Sequence, residues 1–391
     1  MRSHSKSNPK FEPFTVRFDE RSIEDLRRRL DLTRWPDELP GAGWSYGIPL
    51  DTVREAVHYW SHEFDWRLMH EQLNAFEQFT VEIDGLSVHF VHARGRGANP
   101  QPLLLLHGWP STYAELLDLI PYLTDPQARG GEAEESFDVV IPSIPGHGFS
   151  GIPAVPGFED RQAASIMVKL MDALGYTRFC AHGYDLGASI LGLLCLDYPE
   201  RVIGYHTTSP GNPGPYLDPA IPLSEAEREH VRLGRQWYAE EGGYAHILGT
   251  RPQTMAYGLQ DSPTALASFI LEKWHLWTAP PGGDLFRHFD PQKLLTHVSI
   301  YWMTGTANAS GRFYYEGRHT RWPGPGDISQ VPLGVSLTRT QAHERPPIEY
   351  VRRMFPDIRS WEEIGSGGHF VAAERPEQVA GRILDFFRLL L

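Results

Sequence analysis

The sequence predicts an α/β fold: a mainly parallel sheet, an inserted helical segment, and an N-terminal leader wrapped around the outside. Three observations carry this expectation. Apolar runs alternate with helix-like stretches from residue 103 onward, the rhythm of strand–helix–strand units. The turn Gly183-Tyr184-Asp185-Leu186-Gly187 stands directly after the run Arg178-Phe179-Cys180-Ala181-His182 and before a helix-like stretch. Residues 1–95 are crowded with large aromatics, and residues 216–290 break the alternation.

In the leader, charge and apolar spacing predict an amphipathic helix over 22–30, ending before Trp35-Pro36, with further helices near 50–60 and 66–76. Trp44, Tyr59, Trp60, Phe64, Trp66 and Phe79 are too many rings for a disordered tail, so this segment is expected to pack on the main body. Alternation over 79–90 predicts a hairpin turning at Asp84-Gly85. Buried strands are expected at 103–106, 137–141, 179–182 and 202–207, with strand signals resuming at 331–337 and 360–364. Between them, 224–241 and 263–277 read as helices, the second capped by Ser262. The implied division is a leader at 1–95, a first core part at 96–215, a helical lid at 216–290 and a second core part at 291–391. Residues 125–136, rich in Gly, Glu and Asp, read as a surface loop without catalytic content.

Composition removes several function classes. The 391-residue chain carries a net charge of −13 and no long basic runs, which argues against nucleic acid as a partner. Cys180 and Cys195 sit in apolar surroundings and read as buried thiols, fitting a reducing cytoplasm. The first residues, Met1 to Ser7, lead into polar sequence without the apolar core of a signal peptide. No stretch approaches the roughly 18 apolar residues of a membrane span. No HExxH or CxxC spacing appears, so metal catalysis has no support.

The Asp185 turn carries the chemistry. A small-x-nucleophile-x-small turn between strand and helix lifts one side chain above the sheet, and its flanking glycines permit the tight packing. A carboxylate is already ionised at neutral pH, so it attacks a carbon electrophile without a base to deprotonate it. The plain alternative is an Asp capping an ordinary helix. His107-Gly108-Trp109-Pro110 follows the strand at 103–106; there the N–H of Trp109 would join that of Leu186 as an oxyanion hole, unless the motif is only a strand-exit turn. Gly365-Ser366-Gly367-Gly368-His369 follows the last strand signal, and its glycines let His369 fold back over the sheet. His107 is expected to brace its loop.

These motifs resemble the microsomal-type epoxide hydrolases of the α/β-hydrolase fold, over nearly the whole length. The resemblance is carried by Leu30-Asp31-Leu32-Thr33-Arg34-Trp35-Pro36, Tyr59-Trp60 through Leu73-Asn74, His107-Gly108-Trp109-Pro110 and Pro142 through Ser150. It continues in the Asp185 turn, Asp261-Ser262-Pro263, Ile270-Leu271-Glu272-Lys273 and Tyr301 through Thr306. It implies Asp185 as nucleophile, His369 as general base, and two lid tyrosines, Tyr314 and Tyr244, as donors to the epoxide oxygen. Packing aromatics are the alternative for both, and Tyr315 competes with Tyr314. The family also places an acid after the strand at 331–337 to orient the histidine. Here that slot reads Leu337-Thr338-Arg339-Thr340-Gln341; Thr340 lies nearest, Glu344 is displaced, and 207–212 offers no acid.

The implied activity converts an epoxide to a vicinal diol through a covalent Asp ester, without a cofactor. The expected substrate is a small molecule, bulky and apolar; the setting is cytoplasmic, and a homo-oligomer stays open. The alternatives are a haloalkane dehalogenase-like hydrolase, a pseudoenzyme that keeps the pocket, or a cyclase that opens epoxides with a substrate hydroxyl.

Overall fold

Nine strands form one sheet in the order β1-β2-β3-β5-β4-β6-β7-β8-β9. They are β1 (Glu12–Phe14), β2 (Gln78–Ile83), β3 (Leu86–Ala93), β4 (Gln101–Leu106), β5 (Phe137–Pro142), β6 (Phe179–Gly183), β7 (Val202–Thr207), β8 (Leu333–Leu337) and β9 (Ile358–Glu363). The first three run antiparallel, and β3 joins β5 antiparallel. From β5 onward every pairing is parallel. This computed structural model describes residues 10–129, 136–278, 283–338 and 345–391.

The parallel strands are continuous apolar runs because helices cover both faces, so side chains on either side are buried. Leu103 through Leu106 are all fully buried, two facing each of the two core clusters that flank the sheet. The β2–β3 hairpin turns at Asp84 (φ 51°) and Gly85 (φ 78°), the two consecutive left-handed residues that a tight two-residue turn requires. The chain leaves β4 toward β5 on one side and later enters β6 on the other. That reversal opens a crevice at the carboxyl end of β4, where open α/β sheets place their ligands.

The leader forms the Glu20–Asp31, Leu50–His58 and Trp66–Leu73 helices. The second continues as a π-helical turn, Tyr59–Glu63, rather than ending near residue 60. This segment packs on the inserted helices. The Trp60 Nε1–H donates to Ser299 Oγ at 2.8 Å, and Trp44 stacks on His275 with ring centroids 3.4 Å apart. Trp60 is 1% exposed, so its truncation to alanine would cost about 3–5 kcal/mol.

Between β7 and β8 lie seven helices among the described residues, from Glu225–Glu241 to Ala307–His319. Ser224 caps the first through a reciprocal box with Glu227, and Ser262 caps Pro263–Leu276 by accepting from the Ala265 N–H. The boundary expected at 290 falls inside this run, because Pro291–Thr304 and Ala307–His319 follow it before the chain returns to β8. The sequence hid this: the Pro291–Thr304 helix is buried along most of its length, so it lacks a polar stripe to mark its period. The expected 125–136 loop is described only to Arg129 and at Ser136; residues 130–135 lie outside the described residues.

Candidate active site

Asp185 stands where β6 meets the Leu186–Asp197 helix, with φ 51° and ψ −124°. Non-glycine residues rarely hold a positive φ, and at a strand-to-helix turn this strain points the side chain out over the sheet. The neighbours make room. A Cβ at Gly187 would fall 2.4 Å from the Leu106 carbonyl oxygen, and one at Gly183 would fall 2.9 Å from Leu191 Cδ1. The turn is therefore glycine-flanked because helix and strand touch through backbone. Behind it, Ser209 Oγ accepts from the Asp185 N–H at 3.1 Å, and Asn212 Nδ2 donates to the Asp185 carbonyl at 3.3 Å. The stretch after β7 thus contributes braces, a role the sequence reading did not give it.

The two carboxylate oxygens face different partners. Oδ1 accepts from the Trp109 N–H at 2.8 Å and from the Leu186 N–H at 2.6 Å. Oδ2 lies 3.4 Å from His369 Nε2. Gly108 leaves space for this arrangement, since a Cβ there would sit 2.5 Å from the Asp185 Cβ. The His107 Nδ1–H donates to the Gly108 carbonyl at 3.0 Å, and its Nε2 accepts from the Ile144 N–H at 3.2 Å. Burial holds the His107 ring neutral, its pKa lowered to about 4, so it braces the loop.

His369 is reached from β9 through Gly367, whose φ of 93° folds the loop back. Its N–H donates to the Trp277 carbonyl at 2.8 Å, and the Gly368 N–H donates to Glu374 Oε1 at 2.7 Å. Glu374 is in turn held by His288 Nε2 at 2.8 Å. Thr340 and Glu344, the two positions considered for the third acid, lie outside the described residues.

Over the carboxylate lies a cage of rings. Tyr244 stacks on Trp109 at 5.3 Å with the planes 2° apart, and Tyr314 meets Trp109 edge-on at 5.3 Å. The two tyrosine rings are 5.6 Å apart, with a hydrogen bond between their side chains. Burial, reinforced by Tyr244 and Asp185, pushes the Tyr314 phenol well above its ordinary range, which keeps it protonated and able to donate. Lys273, itself buried and paired with Glu272, places its ammonium 4.7 Å from the centre of the Tyr244 ring. Tyr315 turns away and stacks on His319 at 4.2 Å. Asp185, Trp109, Leu186, Tyr244 and Tyr314 line one cavity of about 610 Å³. The lid and the sheet therefore bring together Asp185, His369, Tyr244, Tyr314 and the N–H groups of Trp109 and Leu186.

Two buried acids escaped the sequence reading. Glu115 accepts a hydrogen bond from the Tyr184 hydroxyl, and burial raises its pKa to about 7. Asp160 accepts from Ser189 Oγ at 2.5 Å, and burial raises its pKa to about 7 too. Asp160 opens the Asp160–Ala173 helix beside its cap, Glu159, so in sequence it reads as ordinary first-turn acidity. Arg161 follows in the same turn, so nothing in the local sequence marks Asp160 as unpaired; in the fold Arg161 turns to Asp197 instead. Among the described residues, no group of three or more His, Cys, Asp or Glu could hold a metal ion.

Residues 11–116 match the family described as the epoxide hydrolase N terminus, and residues 101–241 match the alpha/beta hydrolase fold. Epoxide hydrolase 1 of Oryctolagus cuniculus is 34% identical over 97% of this chain and 89% of its own length. The crystal structure of juvenile hormone epoxide hydrolase from Bombyx mori superposes with a TM-score of 0.87 at 28% identity, covering 99% of this chain and 96% of that one. The epoxide hydrolase of Aspergillus niger superposes at 0.84 with 26% identity, covering 99% and 98%. With Asp185 raised over an α/β-hydrolase sheet and relatives of that name along its whole length, the chain belongs to the epoxide hydrolase family.

Proposed function

We propose that this epoxide hydrolase works in two steps, with Asp185 as nucleophile. Tyr244 and Tyr314 donate to the epoxide oxygen, Asp185 Oδ2 attacks a ring carbon from the opposite side, and a hydroxyalkyl ester forms. The ring oxygen takes its proton from one phenol as the C–O bond breaks. His369 then removes a proton from water, which attacks the ester carbonyl carbon. The resulting oxyanion stays on Oδ1, held by the Trp109 and Leu186 N–H groups. On collapse the diol oxygen leaves with the proton held by His369, and the carboxylic acid left on Asp185 passes its proton to the tyrosinate, which restores carboxylate, imidazole and phenol. No cofactor enters any step.

The observation that carries this reading is the split of the Asp185 carboxylate, with Oδ1 held by two N–H donors and Oδ2 beside His369 and open to the cavity. A serine hydrolase would leave its hole empty until a substrate carbonyl entered. Here the enzyme's own side chain carries the future carbonyl. The tyrosine pair supports epoxide over haloalkane chemistry, because phenols supply the proton that a departing alkoxide needs and a halide does not.

The cavity walls of Trp109, Tyr244, Phe313, Tyr314 and Trp322 support a bulky apolar substrate. We treat the helices between β7 and β8 as the lid that closes over it. Among the described residues no helix is long and apolar enough to cross a membrane. A cytoplasmic setting belongs to the same proposal and rests on the two buried free thiols, Cys180 and Cys195. Trapping the ester on Asp185, followed by mass analysis of the peptide, tests the scheme.

A further inference from the structure

Ser189 lies one helical turn beyond Asp185. Its N–H donates to the Asp185 carbonyl at 3.1 Å, so the two residues stand about 6 Å apart along the helix axis. The Ser189 hydroxyl donates to Asp160 Oδ2 at 2.5 Å. Both residues line the same cavity as the nucleophile, and they are only 7% and 5% exposed. No described residue donates to the other Asp160 oxygen, Oδ1, and the neighbouring charges that act on the group are acidic, Glu159 and Asp185. Because Asp160 lines the cavity, Oδ1 is free to exchange a hydrogen bond with a group that enters it. The ring-opening scheme does not use this carboxyl.

We propose that Asp160 and Ser189 form a second anchoring point in the active-site cavity, which binds a hydroxyl group carried by the epoxide substrate. This rests on Asp185 being the nucleophile, because the spacing is measured from it. A hydroxyl suits the pair since it both donates and accepts: it gives its proton to Asp160 Oδ1 or to Ser189 Oγ, and receives one from Asp160 when that acid is protonated. Burial raises the Asp160 pKa to about 7, so near neutral pH a large share of the group is the uncharged acid and offers a proton. An ammonium group would fit less well: it would need a bare carboxylate here, and it would be drawn to Asp185 and blunt its attack. One helical turn corresponds to about four carbon–carbon bonds between ring and hydroxyl. The rest of the cavity combines aromatic rings with Asn212 and Arg318, and the guanidinium of Arg318 further disfavours a substrate that carries an ammonium group.

The test compares three terminal epoxides on a six-carbon chain, ending in a methyl, a hydroxyl or an ammonium group, by kcat/KM for diol formation. The wild-type chain is expected to prefer the hydroxyl compound over the methyl one by at least about tenfold. Asp160→Ala should bring that ratio to near one, Ser189→Ala should lower it, and Asp160→Asn should keep part of it because an amide still exchanges hydrogen bonds with a hydroxyl. The ratio is the readout, so a general loss of rate does not imitate the effect. A wild-type ratio near one, or an unchanged ratio in Asp160→Ala, overturns the anchor. Preference for the ammonium compound overturns the hydroxyl assignment. Failure of the wild-type chain to open any of the three, with no adduct on Asp185, overturns the underlying reading instead.

Discussion

The Trp109 N–H lies 2.8 Å from Asp185 Oδ1, so the oxygen assigned to the ester carbonyl sits in its donor site before substrate arrives. Donors fixed in advance need no reorganisation when charge develops, and they also orient Oδ2 as the attacking atom. The contact depends on Gly108, where any side chain would collide with the Asp185 Cβ.

Gly108→Ala is therefore expected to slow ester formation by at least about a hundredfold, the penalty of displacing a nucleophile by roughly an ångström. Stopped-flow mixing under single-turnover conditions measures this step directly. A folded Gly108→Ala protein with wild-type ester formation would show that the donor geometry is unimportant.

Tyr244→Phe and Tyr314→Phe should each slow ring opening by roughly ten- to a thousandfold, and the double variant should nearly stop it. Tyr315→Phe should be silent, since that ring packs on His319 instead of facing the cavity. Ring-opening rates for the four variants check the assignment; damage confined to Tyr315→Phe would contradict it.

His369→Gln should leave alkylation largely intact and block hydrolysis, because Asp185 attacks as a ready carboxylate while water needs a base. A burst of one equivalent followed by slow turnover is expected, with the mass of the Asp185 peptide raised by one substrate. If the chain itself orients His369 poorly, the wild type shows a smaller version of the same burst. No burst in the wild type would point to a carboxylate completing the triad, and Glu344→Gln would then slow hydrolysis selectively.

Glu115 gives a pH prediction for stability. Burial holds its proton in the folded chain up to about pH 7, against an ordinary value of 4.5. Between those values the folded state binds more protons than the unfolded one, so this group's contribution to stability falls as pH rises through the window and is level above it. Glu115→Gln removes that dependence. The melting temperature of the wild type relative to Glu115→Gln should therefore drop by roughly 2–4 °C between pH 5 and pH 8. A constant difference would mean that Glu115 is ionised in the fold throughout.

Much of the scaffold was legible because its signals are local. The Asp84-Gly85 turn, the Ser224 and Ser262 caps and the leucines of β4 each declare themselves within a few residues. The Gly183 and Gly187 pair marked the Asp185 turn for a reason visible in the contacts, where the helix meets the Leu106 carbonyl. The extent of the inserted helices was not legible, because Pro291–Thr304 is buried and loses its polar stripe. Nor were Asp160 and Glu115. Their meaning depends on Ser189 and Tyr184, 29 and 69 residues away, and sequence position says nothing of burial without a basic partner.

The central claim is that oxygen passes from Asp185 to the diol. Enzyme in excess over epoxide, mixed in heavy-oxygen water for one turnover, tests it most directly by mass spectrometry of both the product and the Asp185 peptide. The account predicts that the first diol carries only ordinary oxygen, because its new hydroxyl comes from the carboxylate, while heavy oxygen enters Asp185 as water attacks the ester carbonyl. Heavy oxygen in the first diol, with an unlabelled Asp185 peptide, would mean that water opens the ring directly and would contradict the account.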